Sequence, residues 1–465
     1  MVRFITSILS AGGLRRFAAG VLIFAGVASV VLAACGAELA LDLMKYHFSL
    51  GMLAALALFM LLALPVALRG NWWHGLIGKW PVHALHLGLA LALVGWMVGL
   101  VGSPAEGSLT LRSGQLGAVG DSFIFALDDF SIDYWPDTGT VRRYASKGRV
   151  GDDVSDQQAE TMQAGGGRRV VIEVNHPLVK DGWWVYQNSY QETTNPHNGK
   201  PLYFTVLLCV KDNGLWVAVL GGVFLILGAL GYAVKVFRGD GRSAEIADVR
   251  PNAACPKLAK VAWVLYGGVF LLTVAMLVNR GLSTGHPPMQ NMYEFLMCSA
   301  AFIPMLTLLA RRERHAMLVD AALQALVLMP VAFFMDGRVK HLMPALQSPF
   351  FVPHVGAYVL GYLLLVRAAF GVGRRLVGVG FWLLTLGLVL GAAWGKVCWG
   401  HWWQFDPKEM WSLATWFTYA AYFHLRAGLS PRSERAFLVA GAVMIVLTLT
   451  WINLSRMFTG MHSYA

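Results

Sequence analysis

Charge is scarce in this chain: only 14% of its residues are charged, against about 25% in an ordinary soluble domain, so composition supports an integral membrane protein. The five cysteines, Cys35, Cys209, Cys255, Cys298 and Cys398, form no C-x-x-C and no C-x-x-C-H. That excludes a thioredoxin-like dithiol and a covalent haem-attachment site of the chain's own, and the wide spacing speaks against a disulfide framework. No phosphate-cradling glycine loop and no convincing internal repeat stand out. The net charge of +11 does not point to nucleic acid, because basic residues of membrane proteins gather in cytoplasmic loops.

Apolar sequence is abundant, at 57% of the chain. Runs near the ~20 residues that cross a bilayer occur at 17–34, 48–68, 80–101, 215–237, 258–279, 291–310, 316–335, 354–372, 376–394, 410–427 and 433–453. They predict an all-α polytopic membrane protein of about eleven transmembrane helices. The one sizeable soluble segment is 103–214, where Phe123–Leu127, Arg169–Val174 and Trp183–Tyr186 set aromatic and β-branched residues between Gly, Asp and Pro breaks. This pattern predicts short strands and a small β-rich extracytoplasmic domain, with a flexible glycine stretch at 165–167.

With the N-terminus in the cytoplasm, the connections 69–79, 238–257, 311–315, 373–375 and 428–432 fall inside. They carry Arg69, Lys79, Arg238, Arg242, Arg250, Lys257, Arg311, Arg312, Arg314, Arg374 and Arg375, in keeping with the positive-inside rule. Segments 103–214 and 336–353, the loop at 394–411 and the C-terminal tail then lie outside. Leu32-Ala33-Ala34-Cys35, after Arg15-Arg16, resembles a lipoprotein cleavage site; a retained first helix is the preferred reading.

Ionisable residues inside a span cost about 2.5–3.5 kcal/mol and are functional candidates for that reason. His86 lies about six residues past Trp80, roughly 9 Å into its span at ~1.5 Å per residue. His424 reaches a similar depth from the same side, just before Arg426. A low dielectric keeps imidazole neutral, the form that binds metals. The pair therefore reads as a shared metal site, with two helix-packing histidines as the plain alternative and His83 as a competitor for His86. Outside, His354, His462, His401, His341 and His286 offer a second pair.

The stretch WGHWWQFDPKEMW packs Trp399, Trp402, Trp403, Phe405 and Trp411, with Trp394 just before it, around Asp406-Pro407-Lys408-Glu409. An interfacial aromatic belt places tryptophans without specific purpose, but it does not explain this density of rings and charges together. A large flat ligand stacked on aromatic faces explains it, with Lys408 near ligand carboxylates. A porphyrin held by two outer histidines fits both demands.

Trp394-Gly395-(x)3-Trp399-Gly400-(x)2-Trp403-(x)2-Asp406-Pro407-Lys408-Glu409-x-Trp411 resembles the WWD motif of the CcsA/ResC cytochrome c biogenesis proteins. Gly285-His286-Pro287-Pro288, Asn291-Met292-Tyr293-Glu294 and Met461-His462-Ser463-Tyr464 support the likeness. Val174-Asn175-His176-Pro177-Leu178, Val185-Tyr186-Gln187-Asn188-Ser189-Tyr190 and His86-Leu87-Gly88 resemble ResB/CcsB. The resemblance implies a fused CcsBA-type chain. Its parts would be ResB-like helices over 1–102, a ResB-like soluble domain over 103–214, a fourth helix and cytoplasmic linker over 215–257, and a CcsA-like membrane domain over 258–465 with the WWD loop at 394–411.

By the same resemblance the protein sits in a bacterial inner membrane, exports haem b and attaches it outside to the C-x-x-C-H thiols of apocytochrome c. That is a haem–thioether-forming, holocytochrome c synthase-type activity, and a thiol-reducing partner protein is implied. Carried over position by position, His86 and His424 match the transmembrane iron ligands, and His354 and His462 the outer ones. Trp394, Trp399, Trp402, Trp403, Phe405, Asp406 and Trp411 are the expected haem-binding residues of the loop. Phe405 stands where the family has another tryptophan, and the soluble segment is shorter than is usual there. Rival classes are a haem carrier or exporter without ligation activity, and a secondary transporter or quinone-linked redox subunit. Cys398, beside the loop, reads as a packing residue.

Overall fold

Inside a bilayer, backbone N–H and C=O groups must be satisfied within the segment that carries them, so long apolar runs become helices. The computed structural model describes residues 11–35, 51, 80–102, 106–194, 199, 201–237, 256–309, 315–338 and 340–455. Helices α1 (Ala11–Cys35) and α2 (Trp80–Gly102) come first. A soluble domain follows, with β1 (Glu106–Leu111), β2 (Leu116–Val119), β3 (Phe123–Tyr134), β4 (Val141–Val150), α3 (Asp156–Gln163), β5 (Arg168–Glu173), β6 (Leu178–Lys180), β7 (Trp183–Thr194) and β8 (Pro201–Lys211). The chain then re-enters the bundle as α4 (Leu215–Phe237), α5 (Pro256–Thr284), α6 (Met292–Leu309) and α7 (Ala316–Phe333). It closes with α8 (Phe351–Ala369), α9 (Val377–Trp399), α10 (Pro407–Leu425) and α11 (Pro431–Ser455).

Each expected span except 48–68, of which only residue 51 is described, coincides with one of these helices. Among the described residues seven helices are long and apolar enough to cross a membrane, and Arg16–Val31 and Met292–Leu308 are shorter apolar helices. The protein is a polytopic membrane protein with a β-rich domain. Helix α10 carries Ser412, Thr415, Thr418 and His424 and is largely buried among its neighbours, which is how a less apolar helix survives in the bundle.

Glycines set how closely α2 and α4 approach. A Cβ at Gly88 would lie 2.7 Å from the backbone nitrogen of Leu225, and one at Gly228 would lie 2.6 Å from Leu85. One at Gly95 would strike the backbone of Ala218. Small residues of this kind let membrane helices pack backbone to backbone. Elsewhere Arg367 of α8 is fully buried and pairs with Asp320 of α7 at 2.6 and 2.7 Å, while also donating to the Leu306 carbonyl of α6 at 3.1 Å. Buried charges persist when paired and hydrogen-bonded in this way.

The soluble domain consists of two four-stranded antiparallel sheets, ordered β1-β8-β7-β6 and β2-β3-β4-β5. Successive side chains of a strand face opposite ways. Phe123, Phe125, Leu127 and Ile172 of one sheet therefore meet Trp183, Val185, Leu207 and Cys209 of the other in one core. Two of the expected short strands prove longer, since β3 and β7 run 12 residues each, with irregularities at Leu127/Asp129 and Gln187/Ser189, while β5 keeps the expected length. The glycines at 165–167 form the turn after α3, where Arg149 bonds the Met162 and Gly166 carbonyls. Trp184, Tyr186, Leu208 and Val210, alternating with the core residues of β7 and β8, make a second apolar cluster on the opposite face. A sheet apolar on both faces must be covered on both, and the second face rests on the membrane part.

Gly95→Val is expected to disrupt the α2–α4 contact and lower folded yield and thermal stability by the ~1–3 kcal/mol typical of overpacking or more. Gly267→Ala, whose Cβ meets nothing within 4 Å, should leave the thermal unfolding of the detergent-purified protein unchanged.

Candidate functional site

The two membrane histidines meet. His86 of α2 and His424 of α10 have ring centres 6.1 Å apart, with planes inclined at 80°. In each, Nδ1–H donates to the carbonyl one helical turn earlier, Val82 and Ala420 respectively, at 2.8 Å. A carbonyl can only accept, so Nδ1 carries a proton in both rings. Backbone carbonyls play this orienting part behind metal-bound imidazoles. Two imidazoles on opposite sides of one metal place their ring centres roughly 6 Å apart, since each metal–nitrogen bond is about 2 Å. His83, the competitor, is exposed on the bundle surface. Among the described residues no group of three or more His, Cys, Asp or Glu side chains is placed to hold a metal. Two imidazoles at this spacing could hold a group that brings its own remaining ligands, such as haem.

His354 repeats this arrangement at the other end of the bundle. Its Nδ1–H donates to the Gly387 carbonyl of α9 at 2.9 Å, and a Cβ at Gly391 would fall 2.6 Å from its Cε1, so a glycine makes room for the ring. The ring stands edge-on to Tyr358 at 4.9 Å and to Trp394 at 5.6 Å. Trp394 is stacked near Trp399 at 6.1 Å and donates its indole N–H to the Ala345 carbonyl at 3.1 Å. His462 lies outside the described residues. Of the other outer histidines, His341 uses Nε2 on Asp137 at 2.7 Å and stacks on Trp135 at 4.3 Å. That contact holds the Asp137 carboxyl below its usual range. His286 has Nδ1 at 3.0 Å from the Pro287 carbonyl and Nε2 at 3.3 Å from that of Lys340. His401 sits half-buried in the loop.

The aromatic residues of the loop divide among three neighbourhoods. Trp394 and Trp399 cluster with Phe351, Leu346 and Cys398 next to His354. Phe405, Trp411 and Trp403 instead pack with Met410 on Trp96 of α2 and Val30 of α1, and Phe405 meets Trp96 at 6.1 Å. Trp402 takes a third course: its indole N–H donates to Asp212 at 3.0 Å.

The charged residues of the loop build a helix start. Asp406 is the N-cap of α10 and accepts from the Lys408 N–H at 2.8 Å, Pro407 occupies the first turn, and Glu409 completes a capping box. One Glu409 oxygen accepts the N–H groups of both Gln404 and Asp406, at 2.9 and 3.2 Å. The residue between those two amides, Phe405, has φ +61°, a conformation that costs a bulky side chain energy and persists where surrounding contacts impose it.

Several residues that sequence reasoning did not single out hold the soluble domain on this loop. Lys396, 3% exposed, pairs with Asp212 at 2.7 Å. Gly400 lies beneath the second apolar face, where a Cβ would fall 3.0 Å from Leu208 and 3.1 Å from Tyr186. Burial, with Asp212 near, pushes the Tyr186 phenol up. Asn175, at φ +67°, donates its amide to the carbonyls of Pro344, Ala345 and Gln347 at 2.9–3.2 Å. The motif residue Glu294 binds Arg280, whose other nitrogens donate to the Gly337 and Arg338 carbonyls. Asn175 and Glu294 stood inside quoted motifs; Asp212 and Lys396 carried no local signal. Burial pushes the Cys209 thiol up to about 11, which makes it inert, and Cys398 is buried in packing.

Comparison with known proteins gives two family matches at different places in the chain. Residues 369–462 match a family described as cytochrome C assembly protein, and residues 74–205 match the ResB-like family. The cytochrome c biogenesis protein CcsA of Prochlorococcus marinus (strain MIT 9303) is 30% identical over 256 residues, which cover 42% of this chain and 80% of that protein. CcsA of Synechococcus sp. (strain RCC307) is 28% identical over 264 residues, 44% of this chain and 85% of its own length. CcsA of Chlamydomonas reinhardtii is 28% identical over 239 residues, covering 43% and 67%.

Asp406→Ala is expected to lower thermal stability by about 1 kcal/mol, whereas Asp406→Asn, an equally good cap, should cost little. Equal unfolding of both variants and the wild type in detergent would contradict the capping role.

Proposed function

Because the chain belongs to the CcsA family of cytochrome c biogenesis proteins and carries a ResB-like part ahead of it, we propose that it binds haem at two histidine sites and attaches it to apocytochrome c outside the membrane. The observation that carries this reading is the shared posture of His86, His424 and His354, each with Nδ1–H fixed on a backbone carbonyl. With it goes the 6.1 Å between the first two rings. His86 and His424 are the inner ligands. His354 is an outer ligand, and His462 is its partner by resemblance. Trp394 and Trp399 offer stacking faces beside His354, and Lys408 is the expected contact for haem carboxylates.

One end of the bundle gathers the β domain, the 341–347 segment and the tryptophan loop. The opposite end carries Lys235, Arg374, Arg375 and Arg426, which supports the first end as extracytoplasmic in a bacterial inner membrane. Haem thus enters near the basic end and is delivered at the other. Each C-x-x-C-H thiol adds across a haem vinyl group: the S–H bond and the C=C π bond break, and one C–S and one C–H bond form. The addition has no net redox change, so the thiol-reducing partner acts earlier, by keeping the apocytochrome thiols reduced. This chain contributes orientation, which by itself is worth several powers of ten in rate.

The test is expression with a C-x-x-C-H reporter in a host without other cytochrome c biogenesis proteins. The wild type should purify with Soret absorbance and yield haem-stained reporter. His86→Ala and His424→Ala should each cut bound haem severalfold, and His354→Ala should reduce maturation at least about tenfold while the inner haem persists. A wild-type protein without Soret absorbance would sink the reading. Haem-loaded protein with unmodified reporter would leave carriage without ligation.

A further inference from the structure

Asp212 sits where the soluble domain hands the chain back to the membrane, between β8 and α4. Its surroundings leave its carboxylate little freedom. The turn is pressed on α2, since a Cβ at Gly214 would strike the Gly95 carbonyl and one at Gly99 would lie 3.0 Å from Asp212 Oδ1. Oδ1 accepts the Gly214 N–H at 2.9 Å. Oδ2 takes two donors from the other part of the protein: the Lys396 ammonium at 2.7 Å and the Trp402 indole N–H at 3.0 Å. Lys396 in turn donates to the Gly400 carbonyl at 3.0 Å, at the residue where α9 ends and the loop begins. Both charged side chains are about 95% buried, with 4% and 5% exposure.

A buried ion pair is a weak source of stability, because desolvation consumes most of the attraction. What it adds here is direction. The Trp402 indole N–H and the Lys396 ammonium share one carboxylate oxygen, so the position of that oxygen sets where both donors point. We propose that Asp212 is a positioning residue that holds Trp402, and through Lys396 and Gly400 the start of the tryptophan loop, in the shape that presents haem. The proposal rests on the haem-attachment reading for its consequence, but its geometry belongs to this chain. The ResB-like part thereby acts on the loop directly: it supplies the acceptor that orients a loop tryptophan.

Single substitutions at Asp212 or Lys396 strand a buried charge and are expected to misfold, so two charge-free double variants are compared in the full chain. Asp212→Asn with Lys396→Met keeps an oxygen acceptor for Trp402; Asp212→Leu with Lys396→Met removes it. Both should fold and retain the inner haem spectrum. Both lose the Lys396 bond to Gly400, so they differ only in the acceptor for Trp402: the first should mature the reporter at least about tenfold better than the second, the scale of a misplaced reacting group. A readout independent of haem is the ¹⁹F resonance of 5-fluorotryptophan at position 402, assigned with Trp402→Phe. It should be one sharp line in the wild type and the Asn variant, and shifted or broadened in the Leu variant. A haem-free wild type would overturn the functional reading alone, since the Trp402 line still reports the latch. An unchanged Trp402 line in the Leu variant, or equal maturation by the two variants, overturns the proposal.

Discussion

A carboxylate buried at the edge of a membrane needs donors at both of its oxygens, and those of Asp212 come from both parts of the chain. Gly214 supplies a backbone amide from the ResB-like side, and Lys396 and Trp402 supply a cation and an indole from the CcsA-like side. Because the cost of burial is offset only when all three arrive together, the soluble domain, the turn into α4, the end of α9 and the tryptophan loop are placed relative to one another at one point. The remaining domain contacts are arranged around it. Tyr186 and Leu208 lie on Gly400, Asn175 caps the 344–347 turn, and His341 reaches Asp137.

The histidine pair depends on the same union. His86 lies within the segment that matches the ResB-like family and His424 within the segment that matches the cytochrome c assembly family, so neither part holds both rings. Their 6.1 Å separation is secured from two directions. Glycine contacts fix α2 on α4, and Trp96 of α2 packs on Phe405 just ahead of α10. The Trp96–Phe405 contact lies towards the opposite end of α2 from His86, so α2 is tied to the start of α10 as well as to α4.

In the tryptophan loop the charged residues and the aromatic residues do different work. Asp406, Pro407 and Glu409 start α10, and the two amides held by Glu409 flank the strained Phe405. Phe405, Trp403 and Trp411 are thereby turned towards α1 and α2, while Trp394 and Trp399 remain with His354. A stretch that looks like one platform in one dimension is a junction of three neighbourhoods in space.

Periodicity and composition by themselves determined the membrane class, the helical spans and the β-rich insert, because apolar length and alternation are local properties of the chain. They also put His86 and His424 at one depth, since depth is counted along a helix at a constant rise. That the two rings meet edge-on depends on the rotation and approach of α2 and α10, which only the packed bundle sets. The role of Asp406 was hidden because an Asp-Pro-x-Glu start and a ligand-binding loop use the same letters, and only backbone geometry distinguishes them. Asp212 and Lys396 are 184 positions apart, within stretches whose local patterns call for nothing at those places. Their pairing exists only once the soluble domain is seated on the bundle and water is excluded from between them.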